Sequence, residues 1–234
     1  MKKWIGDAME SLMGSRMPHM QVLTTEYLSP EIKRIRFSGA ISAMNFEPGH
    51  AVAIRVSDTE YRNYTPSYSD TTAGLVDIIF HLHGHGPGSD LANRLQTGDS
   101  LRISMPRGWK HYDPTVRNQV VFGDETSLGL ASILFPLFRA NGHRFQFLLE
   151  LEECNRDVPA RLGLENVSIF PKSQAFRDEE QIRALSLLRD PDWRGTHYLL
   201  TGNVTSVRTF RNVLREQRHT VRSQGYWLEG KMGL

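Results

Sequence analysis

Tyr61-Arg62-Asn63-Tyr64-Thr65-Pro66-Ser67 puts a fixed cation, a phenol and a hydroxyl on one short segment. Alternation is the period of a strand, so Arg62 and Tyr64 are expected on one face and Tyr61, Asn63 and Thr65 on the other. Pro66 is expected to end the pairing, because it brings no N–H. A planar guanidinium suits a phosphate, a phenol suits the rim of a flat ring, and a short hydroxyl suits a ring nitrogen. Those are the three parts of a flavin nucleotide. The same seven residues also fit an ordinary surface strand that ends at a Pro-Ser turn, and the residues downstream weigh between the two.

Downstream, Val76-Asp77-Ile78-Ile79-Phe80-His81-Leu82-His83 reads as a strand with Val76, Ile78, Phe80 and Leu82 on its buried face. It runs into Gly84-His85-Gly86-Pro87-Gly88-Ser89, where Ser89 is expected to N-cap a helix from Asp90 to Gln96. Strand, glycines and helix start make an anion seat. The glycines let the main chain approach a pyrophosphate, and the N–H groups of the first helical turn point at it. Gly98-Asp99 closes the helix, and Leu101 to Ser104 resumes an alternating strand before Met105-Pro106-Arg107-Gly108.

In this order and spacing, Arg-Asn-Tyr-Thr-Pro at 62–66, His-Gly-x-Gly-Pro-Gly-Ser at 83–89, Gly-Asp-Ser-Leu at 98–101 and Pro-Arg-Gly at 106–108 resemble the siderophore-interacting proteins. Gly-Asp-Glu-Thr at 123–126 and Gly-Tyr-Trp at 225–227 extend the resemblance over most of the chain. That family consists of FAD-containing ferric-siderophore reductases within the ferredoxin-reductase-like superfamily. The resemblance implies that Arg62 contacts the FAD pyrophosphate, that Tyr64 packs near the isoalloxazine or ribityl chain, and that the Thr65 hydroxyl faces flavin N5. Tyr64 and Thr65 are then the catalytic pair. Pro66, His83, Gly84, Gly86, Pro87, Gly88 and Ser89 complete the cofactor site, and Asp124, Glu125 and Thr126 mark a nicotinamide nucleotide site. The chain departs from the family pattern at Ser67, Asp90-Leu91, Gly129 and Gly202-Asn203.

The length of 234 residues allows two ordinary domains, and 39% hydrophobic with 23% charged residues describes a globular chain. A net charge of +2 is too mild to argue for nucleic acid. Cys154 is the one cysteine, which excludes an internal disulfide and a cysteine-ligated iron–sulfur cluster and makes the cytoplasm the expected compartment. Asp7 and Glu10 interrupt any apolar run near the start, so residues 1–16 are expected to form a short amphipathic helix rather than a signal or a span. No stable membrane association is expected, and the protein is expected to act as a monomer.

From Met20 to about Asp113 the signals are short alternating runs: 21–28, 32–37, 51–56, 62–65, 75–83 and 101–104. Six such strands and one late helix predict an antiparallel FAD-binding barrel over residues 17–114. After Pro114 strands alternate with helices, which predicts a Rossmann-like parallel sheet over 115–234. Its expected strands are 119–122, 144–149, 167–170, 197–201 and 224–228, and its expected helices are 127–140, 178–189 and 206–217.

Each candidate site has a plainer reading beside it. His81, His83 and His85 lie two apart, which on a strand gives one face that could hold a transition metal. The glycines flanking His85 and the lack of an acidic cluster at ligand spacing argue against it, and the expectation is no metal. Gly123 to Thr126 sits where a nucleotide phosphate docks in a Rossmann unit, yet Asp124 and Glu125 repel phosphate and equally suit a capped helix. Glu150, Glu152 and Glu153 stand where an acid would select a ribose 2′-hydroxyl, while Arg156 would meet a 2′-phosphate, so NADH and NADPH both remain open. Tyr226 and Trp227 fit a flavin wall or core packing equally. Lys110 and Lys231 fit an anion-attracting rim or plain surface charge.

The function implied is transfer of hydride from NADPH or NADH to FAD, then of single electrons to the iron of a ferric siderophore or ferric chelate. The alternatives are a general flavin or ferric-chelate reductase, an electron-transfer partner for another protein, and a non-catalytic FAD-binding module.

Overall fold

The structure is a computed structural model that describes residues 17–84, 86–108, 111–172 and 174–231. The helix expected over residues 1–16 lies outside them. The chain divides into two compact units between residues 110 and 111.

The first unit is antiparallel. Its strands are β1 (His19–Ser29), β2 (Ile32–Gly39), β3 (Val52–Arg55), β4 (Tyr61–Tyr64), β5 (Pro66–Asp70), β6 (Leu75–His81) and β7 (Ser100–Arg102). Five of them form a sheet in the order β5-β6-β2-β1-β7, and β3 pairs with β4. Bridges from Ala51 to Arg107 and from Ile54 to Ile103 bring β3 to the β7 edge. β4 runs through Thr65 into β5 at the opposite edge, so the order returns on itself as a barrel. Strict alternation drives this: Ile35 and Phe37 of β2 are fully buried while Arg34 and Arg36, which alternate with them, face outward. Met20, Val22, Val52, Ile54, Val76, Ile78 and Phe80 fill the interior with them.

Pro66 corrects one expectation. It ends β4 but does not end pairing: it opens β5, opposite Ile78 of β6. A proline is tolerated as the first residue of a strand, so here it switches the chain from one sheet to the other and adds a seventh strand.

The second unit is a parallel sheet in the order β10-β9-β8-β11-β12. Its strands are β8 (Asn118–Asp124), β9 (Arg144–Leu151), β10 (Val167–Pro171), β11 (His197–Asn203) and β12 (Thr220–Trp227). β8 and β11 are buried along their whole length, as the centre of a doubly covered sheet requires. The single helix expected over 178–189 is two short ones, Glu179–Arg183 and Ser186–Arg189. The chain breaks helical geometry at Leu185, whose ψ is 126°. Besides these, the helices are α1 (Pro87–Arg94) in the first unit and α2 (Leu128–Ala140), α3 (Val158–Arg161) and α6 (Val204–Glu216) in the second, with α4 and α5 the two short helices. Phe122, Phe176 and Phe210 lock α6 onto one face of the sheet, with ring centroids 4.3 to 5.5 Å apart.

Candidate functional site

In the first unit the pairing of β4 with β3 sets Tyr64 opposite Val52 and Arg62 opposite Ile54. Directly opposed residues share a face. Val52 and Ile54 are fully buried, so Arg62 and Tyr64 lean to the core side while Asn63 is exposed. The Tyr64 ring packs on Phe80 with centroids 4.7 Å apart, and burial pushes its phenol up to about 12, which keeps it neutral. Arg62 donates to Glu60 at 2.9 Å and to the Tyr61 carbonyl at 3.0 Å. The Thr65 hydroxyl and the Tyr64 hydroxyl make no hydrogen bond to any described residue.

The glycine-rich turn meets this face. A Cβ placed on Gly88 would stand 2.5 Å from the Tyr64 oxygen and 3.8 Å from Cγ of Arg62. Pro87 takes the first helical position of α1, where its missing N–H costs nothing, and Gly86 takes the cap in an extended conformation. The first helical bond runs from the Asp90 N–H to the Gly86 carbonyl at 2.8 Å. The amides of Gly88 and Ser89 precede it and have no intrahelical acceptor. Ser89 is therefore not the N-cap expected from its residue type: it lies inside the first turn, buried, and its hydroxyl reaches the His81 carbonyl at 3.4 Å.

His83 and Gly84 are exposed just before that turn, and Pro66 is buried. His81 packs against His83 with centroids 5.3 Å apart and lies 3.8 Å from Glu31. Among the described residues no group of three or more His, Cys, Asp or Glu comes together to hold a metal. His85 and Lys110 lie outside the described residues.

In the second unit the turn after β8 sits where the strand order reverses between β8 and β11, the place where open α/β sheets form a crevice at their carboxyl ends. Asp124 and Glu125 both point inward. Asp124 accepts from the Thr126 amide at 2.9 Å and hydroxyl at 2.5 Å, from the Asn203 amide at 2.8 Å and from the Trp227 indole N–H at 2.7 Å. Gly202 is required beside it: φ is +99°, and a Cβ there would stand 2.5 Å from the Asp124 carboxylate. Glu125 accepts from the Glu152 amide at 2.8 Å, from Asn155 at 3.2 Å and from the Lys172 ammonium at 2.8 Å. Burial works to lower the Lys172 pKa, but Glu125, Asp124 and Glu152 around it overcome this and raise it. The two acids thus shape the turn, and Thr126, tied to Asp124 by its amide and hydroxyl, is half-buried at its surface.

Trp227 is half-buried, tied by its N–H to Asp124, with Lys172 5.3 Å over its ring; Tyr226 is half-buried beside it, and Lys231 is exposed. Of the three acids at the end of β9, Glu150 is buried, with Oε1 unpartnered, and Glu152 and Glu153 are exposed, the latter paired with Arg156 at 3.1 Å. Sequence reasoning did not single out Lys172. Its one signal is a lone basic residue directly after a parallel strand.

Residues 55–110 match the family model described as the siderophore-interacting FAD-binding domain. Among curated proteins, NADH-cytochrome b5 reductase 1 of Dictyostelium discoideum is 32% identical over 60 residues, which is 26% of this chain and 21% of that protein. The chain thus matches about a fifth of that relative's length. Among solved structures, the siderophore-interacting protein SipS from Aeromonas hydrophila is 22% identical with a TM-score of 0.76, covering 92% of this chain and 93% of that one. A siderophore utilization protein from T. fusca is 22% identical, with a TM-score of 0.76 and coverages of 93% and 95%. Phthalate dioxygenase reductase is 16% identical, with a TM-score of 0.71, covering 94% of this chain and 71% of that one. The resemblance read from the motifs therefore holds: residues 55–110 match the siderophore-interacting FAD-binding domain, and the chain has the fold of siderophore-interacting proteins and their ferredoxin-reductase-like neighbours.

Proposed function

We propose that the protein is an FAD-dependent oxidoreductase that takes hydride from NADPH or NADH and reduces the iron of a ferric siderophore. The observation that carries the reading is the convergence of Arg62, Tyr64 and the open amides of Gly88 and Ser89 at one place. A guanidinium and two main-chain N–H groups without intrahelical acceptors at a helix N-terminus are a donor set for a pyrophosphate. The absence of a side chain at Gly88 lets the turn close onto the Tyr64 phenol, where any Cβ would collide with its oxygen. These residues fit FAD, which when bound supplies a two-electron acceptor that can pass electrons on singly.

The chain's own residues then have separate tasks. Arg62, steered by Glu60, neutralises phosphate charge from one side, and the Gly86-Pro87-Gly88-Ser89 turn holds it from the other. Tyr64 stays a neutral phenol at working pH and offers a flat apolar wall with a polar tip. Thr65, between β4 and β5, has a hydroxyl with no partner among the described residues and offers it to the edge of the flavin ring. Pro66 fixes Thr65 by restricting the backbone of the residue before it. His83 and Gly84 line the approach.

For the nucleotide, we assign the turn after β8, where Asp124 and Glu125 hold the main chain in place and Thr126 stands at the crevice. Tyr226, Trp227 and Lys231 of the second unit are assigned to a rim that meets an anionic siderophore. The iron chemistry supplies the logic: hard oxygen ligands hold Fe(III) far better than Fe(II), so reduction loosens the metal without breaking the ligand. The test is anaerobic mixing of the yellow protein with NADPH or NADH and then with a ferric catecholate or hydroxamate, with Fe(II) trapped by a chromogenic chelator. Fe(II) formed at a rate that depends on FAD and nucleotide supports the reading. A flavin that bleaches but leaves every ferric chelate untouched moves the acceptor to another protein.

A further inference from the structure

We propose that Lys33 is a positioning residue for the pyrophosphate seat, acting from the far end of helix α1. The inference rests on the reading of the α1 N-terminus as that seat. Lys33 stands on β2 at the same parity as Ile35 and Phe37 and is 2% exposed, so its four-carbon stem runs inward with the core. Its ammonium donates to the carbonyls of Ala92 at 2.9 Å, Asn93 at 3.1 Å and Leu95 at 2.8 Å. An ammonium has three donors, and all three meet acceptors left without intrahelical partners at the end of a helix. Tyr27 covers the site, with its ring 5.2 Å from the ammonium and its hydroxyl donating to Asn93 at 2.9 Å.

A buried cation is costly unless every donor is met, so this arrangement holds in one geometry and resists rotation of the helix end. α1 is only eight residues long, about 12 Å, so a pin at Leu95 also fixes the direction in which Gly88 and Ser89 point. The cation lies at the negative end of the helix dipole, which it stabilises, and it adds positive potential behind the anion seat. Among the described residues, Gly88 rests on Tyr64 and the Ser89 hydroxyl reaches His81 at the first turn, while Ala92 and Leu95 seat the second half of the helix in the barrel core. Lys33 touches no part of the proposed cofactor site.

The experiment compares wild type, Lys33→Met and Lys33→Arg. FAD is removed, each apo-protein is confirmed folded by circular dichroism well below its unfolding midpoint, and FAD affinity is titrated by flavin fluorescence quenching. Lys33→Met is expected to weaken FAD binding about tenfold, the equivalent of one lost charge-assisted hydrogen bond, and Lys33→Arg to recover most of it. A lowered midpoint in Lys33→Met with an unchanged dissociation constant for the folded protein overturns the proposal, because the lysine is then structural only. If Lys33→Met does not fold, Lys33→Gln takes its place, and wild-type affinity in Lys33→Gln is equally decisive against the proposal. Wild type that fails to bind FAD sinks the reading of the seat itself, a different result from any of these.

Discussion

The phenol oxygen of Tyr64 lies 2.5 Å from where a Cβ on Gly88 would stand, so the strand motif and the glycine turn are in contact through the one atom that Gly88 lacks. This contact makes the two motifs, which lie more than twenty residues apart in the chain, parts of one site. It also makes the pair open to a double-mutant cycle.

Gly88→Ala is expected to push Tyr64 off Phe80 or to shift the first turn of α1, and to weaken FAD binding about tenfold or more, since overpacking a close contact typically costs 1–3 kcal/mol. Tyr64→Phe removes the obstructing oxygen, so adding Gly88→Ala to it should cost much less. The measurement is FAD affinity for both single variants and the double. Strict additivity would show that the two residues are not in contact.

Arg62→Ala should lose about 2–4 kcal/mol of FAD binding, because a phosphate held in a partly closed site loses its charge partner. Glu60 would then be left facing the pyrophosphate without the guanidinium between them. FAD content after dialysis reads the result, and equal retention in wild type and variant removes Arg62 from the site.

Thr65→Val keeps the shape of the side chain and removes a hydroxyl that has no other described partner. FAD should stay bound while the reductive half-reaction slows, by about 10²-fold or somewhat less for one lost hydrogen-bond donor. Anaerobic stopped-flow bleaching with NADPH and with NADH measures this and also decides the nucleotide preference. An unchanged rate with a full deuterium isotope effect would mean that the hydroxyl faces away from the reacting edge.

Glu150 is buried with one carboxylate oxygen unpartnered, and burial raises its pKa. The sign follows from linkage: a carboxyl raised in the folded state favours folding when protonated, so its contribution is full at low pH and is lost as pH rises through the folded value. Glu150→Gln keeps the protonated shape at every pH. It should therefore raise the unfolding midpoint at pH 7, and the gain should vanish as pH falls into the ordinary carboxylate range. A midpoint gain that stays constant from pH 7 to pH 4 would show that Glu150 does not titrate abnormally.

What the sequence determined by itself is local in origin. A period of two placed Arg62 and Tyr64 on one face, glycines and Pro87 after an apolar strand marked a helix start, and the change from period two to strand-helix alternation after Pro114 marked the second fold. These follow from residues within a few positions of one another. What only the tertiary structure decided depends on partners distant in sequence. Pro66 reads locally as a stop, yet Ile78 across the sheet makes it the start of β5. Ser89 is a good capping residue by type, but Pro87 starts the helix earlier and carries Ser89 inside. Asp124 and Glu125 read as the charges of a capped helix start, and they are buried because Asn203 of β11, Trp227 of β12 and Lys172 directly after β10 arrive to meet them. Lys33 shares the parity of Ile35 and Phe37, but it is not among the residues that the motifs pick out. Only the folded barrel supplies the three carbonyls, sixty residues on, that allow an ammonium to be there.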